Sequence, residues 1–356
     1  MDFKRLILKQ RSGTIFAILL FGFVVGMIVR YLLDNVAERD VANYVRSGLH
    51  GAGIALAAWI VQEFFLAQAH TPAGAVLRRM PVLAEVLIRS LVMTVVILVV
   101  GTALQAVLYA ETLQLRWLDS SWFKVHLPLL VAIGLSMSLL ISSVTEAARL
   151  IGRPMLGSIV LGTYHRPVRE ELIVMFLDLA ESTSLAEKLG ELRVHDLITR
   201  FFYDIDGPIN DHGGSILSYV GDEVIVTWPV TGDPVLNARC LACFVAIDAR
   251  MASLAGEYQR EFGIVPRFRA GLHAGPVIVS ECGGLKRQLA YFGDTMNVAA
   301  RICEYCKASS CNLLVSGAVF GHVALPQDLT ASAGERIALR GREQPLEVYQ
   351  VEACGS

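Results

Sequence analysis

The stretch LIVMFLDLAEST, residues 172–183, decides the fold of the C-terminal half of this chain. LIVMFLDLA, residues 172–180, has the length and apolar run of a short buried strand. A long helical stretch is expected to follow through residues 183–210. GSILSYV and EVIVTWPV then flank Gly221-Asp222, a two-residue spacing that predicts a tight hairpin. Residues 233–260 read as helix, RFRAGLHAGPVIVS and RQLAYFG as strands, and about 295–307 as helix. NLLVS, RIALRG and LEVYQVEA supply late strands. The order β-α-β-β-α-β with additions predicts an α+β, ferredoxin-like sheet. In such a sheet the first strand lies beside the central hairpin, which brings Asp178 and Asp222 to one edge.

Upstream the grammar is different. The 356 residues suffice for two domains. Hydrophobic residues make up 54% and charged ones 18%, and the apolar excess lies almost entirely before residue 165. Four runs, about 14–33, 49–70, 90–110 and 125–144, approach the roughly twenty residues that cross a bilayer. The first exceeds the apolar core of a cleaved leader and no small-residue cleavage site follows it, so it is read as a span. The second is weakened by Gln62 and Glu63. Lys4, Arg5, Lys9 and Arg11 precede span one, Arg78, Arg79 and Arg89 lie between spans two and three, and Arg149, Arg153, Arg166 and Arg169 follow span four. The intervening segments hold only Arg39, Arg46, Arg116 and Lys124. By the positive-inside rule both termini are expected in the cytoplasm, with Trp117 and Trp122 at the opposite interface. The expected organisation is an all-α four-helix transmembrane domain at 1–145, a linker helix at 146–170 and a catalytic domain at 171–353. Span four should continue as a helix to about Ile151, where Gly152 and Pro154 interrupt it.

Several polar residues of the membrane region invite specific readings. Glu63 and Arg89 are expected to pair near the cytoplasmic side. His50 and His126 begin spans two and four, so two imidazoles could ligate a haem iron; interfacial solvation is the favoured alternative. The formal charge of −2 argues against a nucleic-acid partner. The seven cysteines all lie in the C-terminal half. Cys240-x-x-Cys243 and Cys303-x-x-Cys306 have zinc-like spacing, but on predicted helices this spacing simply marks one buried face.

Asp178 ends a buried strand just before a helix start at Ser182 or Thr183. A carboxylate there can hold Mg²⁺ while the following backbone amides cradle phosphate. Asp222, at the hairpin tip, can reach the same ion. Taken alone each is equally a cap or turn residue. YFGDTMNVAARI adds Asn297 and Arg301 at i, i+4 on one helix face, an amide and a guanidinium suited to a ribose oxygen and a phosphate.

FLDLAEST, YVGDEVIVTW, RAGLHAGPVIV and YFGDTMNVAARI, in this order and spacing, resemble the catalytic domain of class III adenylate and guanylate cyclases. The resemblance covers roughly residues 170–352. It implies that Asp178, Asp222 and the Leu179 carbonyl hold two Mg²⁺ or Mn²⁺ ions, and that Asn297 and Arg301 stabilise the transition state. It further implies that Arg340 binds the triphosphate tail, beside the phosphate cradle expected from the amides of Ala180, Glu181, Ser182 and Thr183. The family works as a head-to-tail dimer, so a homodimer would carry two complete sites. The implied activity is conversion of ATP to cyclic AMP by a membrane-anchored signalling enzyme of the bacterial inner membrane. Where adenylate-forming members place a base-reading Lys, this chain has Ser218. Where they often place an Asp, it has Ala290. A guanylate cyclase is therefore the near alternative, and a membrane haem or redox sensor with a weakly active cyclase domain is the alternative from another class. Gly221-Asp222-Glu223 matches part of a diguanylate cyclase signature, but the Asn297/Arg301 helix does not belong there.

Overall fold

The computed structural model describes residues 3–33, 40–68, 80–108, 124, 127–151, 162–284, 287–309, 311–339 and 344–353. Two compact units result, Met1–Arg153 and Pro154–Ser356.

In the first unit four long helices form: α1 (Phe3–Leu33), α2 (Val41–Gln68), α3 (Val82–Leu108) and α4 (Leu127–Ile151). Three segments are long and apolar enough to cross a membrane, Ile15–Leu32, Val82–Leu108 and Val131–Ala148. α2 is helical as expected but does not reach that apolarity, since Arg46, Gln62, Glu63 and several small residues dilute it. Its contact with α1 is built from glycine. A Cβ on Gly26 would stand 2.1 Å from the Ser47 carbonyl oxygen, and one on Gly51 would stand 2.2 Å from that of Gly22. Backbone-to-backbone approach of this kind is how helices associate where no hydrophobic effect drives them together, and Gly22-x-x-x-Gly26 is its sequence signal.

The expected Glu63–Arg89 pair does not form. Glu63 is exposed on α2, whereas Arg89 is buried and paired with Glu85, one turn earlier, and with Glu146 of α4 at 3.4 Å. Phe65 lies 5.4 Å from the guanidinium carbon. A carboxylate at i−4 needs no interhelical reach, so Arg89 turns along its own helix toward α4. Around this polar seam Ser90 and Thr94 bond back to the carbonyls of Val86 and Ser90. α4 runs to Ile151, as its sequence predicts. Trp117, Trp122 and His126 lie outside the described residues.

The second unit is a nine-stranded sheet. Its strands and helices are β1 (Val168–Leu179), α5 (Ser182–Leu189), α6 (Glu191–Asp211), β2 (Ser215–Val220), β3 (Glu223–Pro229), α7 (Pro234–Asn237), α8 (Arg239–Phe262), β4 (Phe268–Cys282), β5 (Gln288–Phe292), α9 (Asp294–Ser309), β6 (Leu313–Ser316), α10 (Gly317–Phe320), β7 (Leu329–Ala331), β8 (Glu335–Ile337) and β9 (Leu346–Ala353). The order is β2-β3-β1-β4-β6-β9-β7, with β5 on β4 and β8 on β9. Its first four strands are antiparallel and reproduce the expected ferredoxin-like core. The predicted single helix over 183–210 is two, because Gly190 sits at φ +82° and breaks it. Of the described residues of RIALRG only Arg336 and Ile337 are strand, in β8, and β7 is a further short strand that its sequence does not announce.

β1 is apolar at successive positions because both faces are covered. Ile173, Met175, Leu177 and Leu179 join the core with Phe201, Ile205, Leu241 and Ile247 of α6 and α8. Leu172, Val174 and Phe176 face the other way, onto Ala299 and Cys303 of α9. Asp178 is the next position in that second series. The hydrophobic periodicity of the strand therefore aims its carboxylate to the α9 side of the sheet.

Candidate active site

Asp178 and Asp222 meet at the end of the β1–β3 ladder. Asp178 stands opposite Glu223, and the Leu179 N–H donates to the Asp222 carbonyl at 3.2 Å. Gly221 at φ +65° supplies the first position of the two-residue turn without a Cβ clash. Burial first, then the charge of Asp222, push the Asp178 carboxyl up to about 6, although Arg269 and Lys307 pull the other way. Arg269 is the cross-strand neighbour of Asp178 on β4, with its Nε 3.6 Å from Oδ2. Burial and the nearby Asp178 and Asp222 likewise push Glu223 up to about 7. Three carboxylates thus crowd one sheet edge, opposed by the guanidinium and by the ammonium at the end of α9.

This donor set fits a divalent ion. Mg²⁺ is characteristically held by one or two carboxylates, with water and substrate phosphates completing the shell, rather than by an all-protein cage. Among the described residues no group of three His, Cys, Asp or Glu converges as such a cage. The mutual repulsion of Asp178 and Asp222 is what a bound cation would relieve.

The amides after Asp178 are fewer than the sequence suggests. The Ala180 N–H donates to the Arg267 carbonyl at 2.7 Å, continuing the β1–β4 ladder past the Leu179–Phe268 pair. The expected cradle at 180–183 therefore loses its first amide. Glu181 then adopts φ +62°, an uncommon conformation for a residue with a side chain, and α5 begins at Ser182. The amides of Ser182 and Thr183, in the first turn, have no intrahelical acceptor.

Asn297 and Arg301 lie on α9, which runs antiparallel along β4. A Cβ on Gly275 would touch the Thr295 hydroxyl at 2.8 Å, and one on Gly271 would stand 2.3 Å from the Cys303 nitrogen. The glycines of RAGLHAG therefore let the helix lie directly on the strand. Its far end faces the carboxylates: Lys307 acts on Asp178, and Glu304 on Glu223. At 1.5 Å per residue, Asn297 is about 15 Å and Arg301 about 9 Å along the helix from Lys307. Asn297 is exposed, and Arg301 is not among the charges acting on Asp178. Among the described residues no hydrogen bond or ion pair joins Asn297 or Arg301 to Asp178 or Asp222, and the ion pair of Asp178 is with Arg269.

The two expected base-reading positions are also apart. Ser218 is exposed on β2, just past a bulge at Ile216/Ser218, and Ala290 on β5 pairs with Ser280. β3, β1 and β4 lie between those strands, four spacings or about 19 Å. Arg340 lies outside the described residues. His50 of α2 faces the α3 backbone, where a Cβ on Gly101 would stand 3.6 Å from its Nε2. Cys240, Cys243, Cys303 and Cys306 are buried on helices, as the helical spacing predicts.

Arg269, Glu223 and Lys307 belong to the site and were not legible as such. Arg269 opens RAGLHAG and Glu223 follows Asp222, yet a charged residue at a strand start reads as exposed. Only the register shows otherwise.

The family described as Adenylate and Guanylate cyclase catalytic domain matches residues 165–353. Adenylate cyclase 2 of Rhizobium meliloti (strain 1021) is 36% identical over 210 residues, 59% of this chain and 58% of that protein. Adenylate cyclase 1 of the same organism is 30% identical over 189 residues, 51% of this chain and 28% of that protein. The chain thus spans less than two thirds of the length of either relative. A bacterial light-regulated adenylyl cyclase of known structure is similar with a TM-score of 0.50 at 21% identity, over 61% of this chain and 64% of that one. This last likeness is one of fold.

Proposed function

Since the chain belongs to the family of adenylate and guanylate cyclase catalytic domains, we propose that it converts ATP to 3′,5′-cyclic AMP and pyrophosphate at a site shared by two copies. The observation that carries this reading is the crowded pair Asp178–Asp222 near the C-terminal end of α9, with Asn297 in the first turns of that helix and Arg301 at its middle. A symmetric pair of chains supplies each carboxylate edge with the Asn and Arg of the other copy, twice over. Exposed Tyr219, Val220 and Phe292 are apolar side chains suited to such an interface.

Asp178, Asp222 and the Leu179 carbonyl would hold Mg²⁺ or Mn²⁺, two ions per site. When bound, the ions lower the pKa of the ribose 3′-hydroxyl and neutralise phosphate charge. Arg269 keeps Asp178 ionised and in register for that duty. The Ser182 and Thr183 amides, at the positive end of α5, receive phosphate oxygens. Arg340 binds the triphosphate tail. Asn297 of the second copy orients the ribose, and its Arg301 stabilises charge gathering on the α-phosphate as the 3′-oxygen attacks in line. No side chain becomes a covalent nucleophile.

The membrane reading rests on the three apolar helices and their outward surface, where Phe16, Phe21, Leu32, Leu91 and Val99 are exposed. The glycine seam lays α2 against α1, so four crossings are proposed, with both termini on the basic, cytoplasmic side of the inner membrane. Adenine is favoured because the relatives named above are called adenylate cyclases. Guanine stays the second reading because Ser218 and Ala290 offer no charged reader of either base. Product analysis of the purified protein with Mn²⁺ and either ATP or GTP decides between them. Cyclic AMP from ATP, with little cyclic GMP from GTP, is expected; the reverse preference would replace the first reading by the second.

A further inference from the structure

Three buried thiols of the catalytic unit point at backbone carbonyls: Cys240 at Asn237, Cys243 at Pro208 and Cys303 at Arg269. Cys306 and Cys311 are different. Their sulfurs are 3.0 Å apart, closer than the about 3.5–4.0 Å at which even carbon atoms rest. Backbone bonds hold them there. The Cys311 N–H donates to the Cys306 carbonyl at 3.3 Å, and the Cys306 thiol reaches the Cys311 carbonyl at 3.1 Å. Cys306 belongs to the last turns of α9 and Cys311 precedes β6, and both pack with Val298, Ile302 and Leu314.

We propose that Cys306 and Cys311 form a reversible disulfide, made by peroxide and undone by thiols, that lowers activity by drawing the end of α9 toward β6. The effect on activity rests on the cyclase reading; the disulfide itself does not.

The local chemistry orders the two sulfurs. A hydrogen bond from Cys306 makes the Cys311 thiol more acidic, while that bond and burial hold Cys306 protonated. Cys311 therefore attacks first. Its thiolate takes one oxygen of hydrogen peroxide, the O–O bond breaks, and hydroxide leaves with a sulfenic acid formed. The Cys306 sulfur then attacks that sulfenic sulfur; the S–S bond forms, the S–O bond breaks, and the departing hydroxide takes up the thiol proton. Two thiols are oxidised and one peroxide is reduced to two waters. Cys311 itself is 5% exposed, and its neighbour Asn312 lies at the surface.

Closing from 3.0 Å to a bond of about 2.05 Å moves the sulfurs by about 1 Å. Lys307, adjacent to Cys306, acts on Asp178, and Arg301 lies five residues back on the same helix. A displacement of about 1 Å at a catalytic constellation can reduce rate on the order of 100-fold. A bridge closing so short a loop is the strained, readily reduced kind that serves regulation.

The test uses the full chain, purified reduced, then treated with hydrogen peroxide, alkylated and mapped by peptide mass, with cyclic nucleotide formation measured in parallel. A Cys306–Cys311 linked peptide should appear, activity should fall at least tenfold, and dithiothreitol should restore both. Cys311→Ala and Cys306→Ala should each lose the linked peptide and keep activity under peroxide. Cys240→Ala, which alters another buried thiol, should behave as the parent. Free, alkylated Cys306 and Cys311 after oxidation would overturn the proposal, and so would a mapped disulfide with unchanged activity. Absence of any cyclase activity in the reduced protein would strike at the functional reading instead, leaving the peptide map to decide the modification.

Discussion

Asp178→Asn should abolish catalysis and at the same time stabilise the metal-free catalytic unit. The Asp178 carboxyl is raised from 3.8 to about 6, mainly by burial and by Asp222. At about 1.4 kcal/mol per pKa unit this corresponds to about 3 kcal/mol of unfavourable charge at neutral pH. The side chain is 22% exposed, so solvent screening lowers the figure, to on the order of 1–3 kcal/mol. The sign follows from linkage. A carboxyl whose folded-state pKa is raised gives its full stabilisation below its unfolded value, and loses it as pH rises through about 6. The neutral amide escapes that loss. For a unit of this size the gain is roughly 3–10 °C in Tm. Residues 154–356, with their own hydrophobic core, would be melted in EDTA at pH 8 and pH 5. The variant should melt higher at pH 8, with about half the advantage left at pH 5. Mn²⁺ should raise the Tm of the parent but not of the variant. A variant less stable than the parent at pH 8, or equally advantaged at both pH values, would refute the repulsion argument.

Mn²⁺ affinity of the same unit should weaken as pH falls from 8 to 5, by up to roughly tenfold per unit once Asp178 protonates below about 6; calorimetry showing no dependence would count against these ligands. Gly271→Ala should lower Tm by several degrees and impair activity, because its Cβ would meet the Cys303 backbone nitrogen at 2.3 Å, and overpacking of this kind costs about 1–3 kcal/mol or more. An unchanged melting curve would show that α9 does not rest on this glycine. In the first unit, Arg89→Met removes the guanidinium that Glu85 and Glu146 share and should destabilise the detergent-solubilised protein by about 3–5 kcal/mol. Glu63→Gln should do almost nothing, and equal effects on thermal aggregation would restore the pairing that the structure rejects.

The fold of the catalytic unit was legible because one strand is apolar on both faces and a Gly-Asp pair separates two runs of strand residues. Those two signals place β1 beside the hairpin, and with it Asp178 beside Asp222. The sequence was silent on Gly190, whose positive φ splits a helix that periodicity alone joins. It was also silent on Arg269, whose role comes from cross-strand register with Asp178 rather than from its neighbours in the chain. Asn297 and Arg301 were visible as a helical pair, but their distance from the carboxylates depends on which end of α9 lies over Gly271. In the N-terminal helices, charge counting suggested Glu63 as the partner of Arg89. The i, i+4 carboxylate Glu85 was the better reading, because it requires no interhelical geometry at all. Gly22-x-x-x-Gly26 carried real information about α1–α2 packing that hydropathy does not register.

In the proposed dimer each site takes its carboxylates from one copy and its Asn and Arg from the other. Asp222→Ala and Arg301→Ala, purified separately, should each be inactive with ATP and Mn²⁺. Co-expressed with different affinity tags, they should form a mixed dimer in which one of two sites is intact. Half the dimers would be mixed, so total activity should return to roughly a quarter of the parent's, and to about half in the doubly tagged fraction. Activity in either variant alone, or a doubly tagged dimer as inactive as its parts, would contradict the shared site.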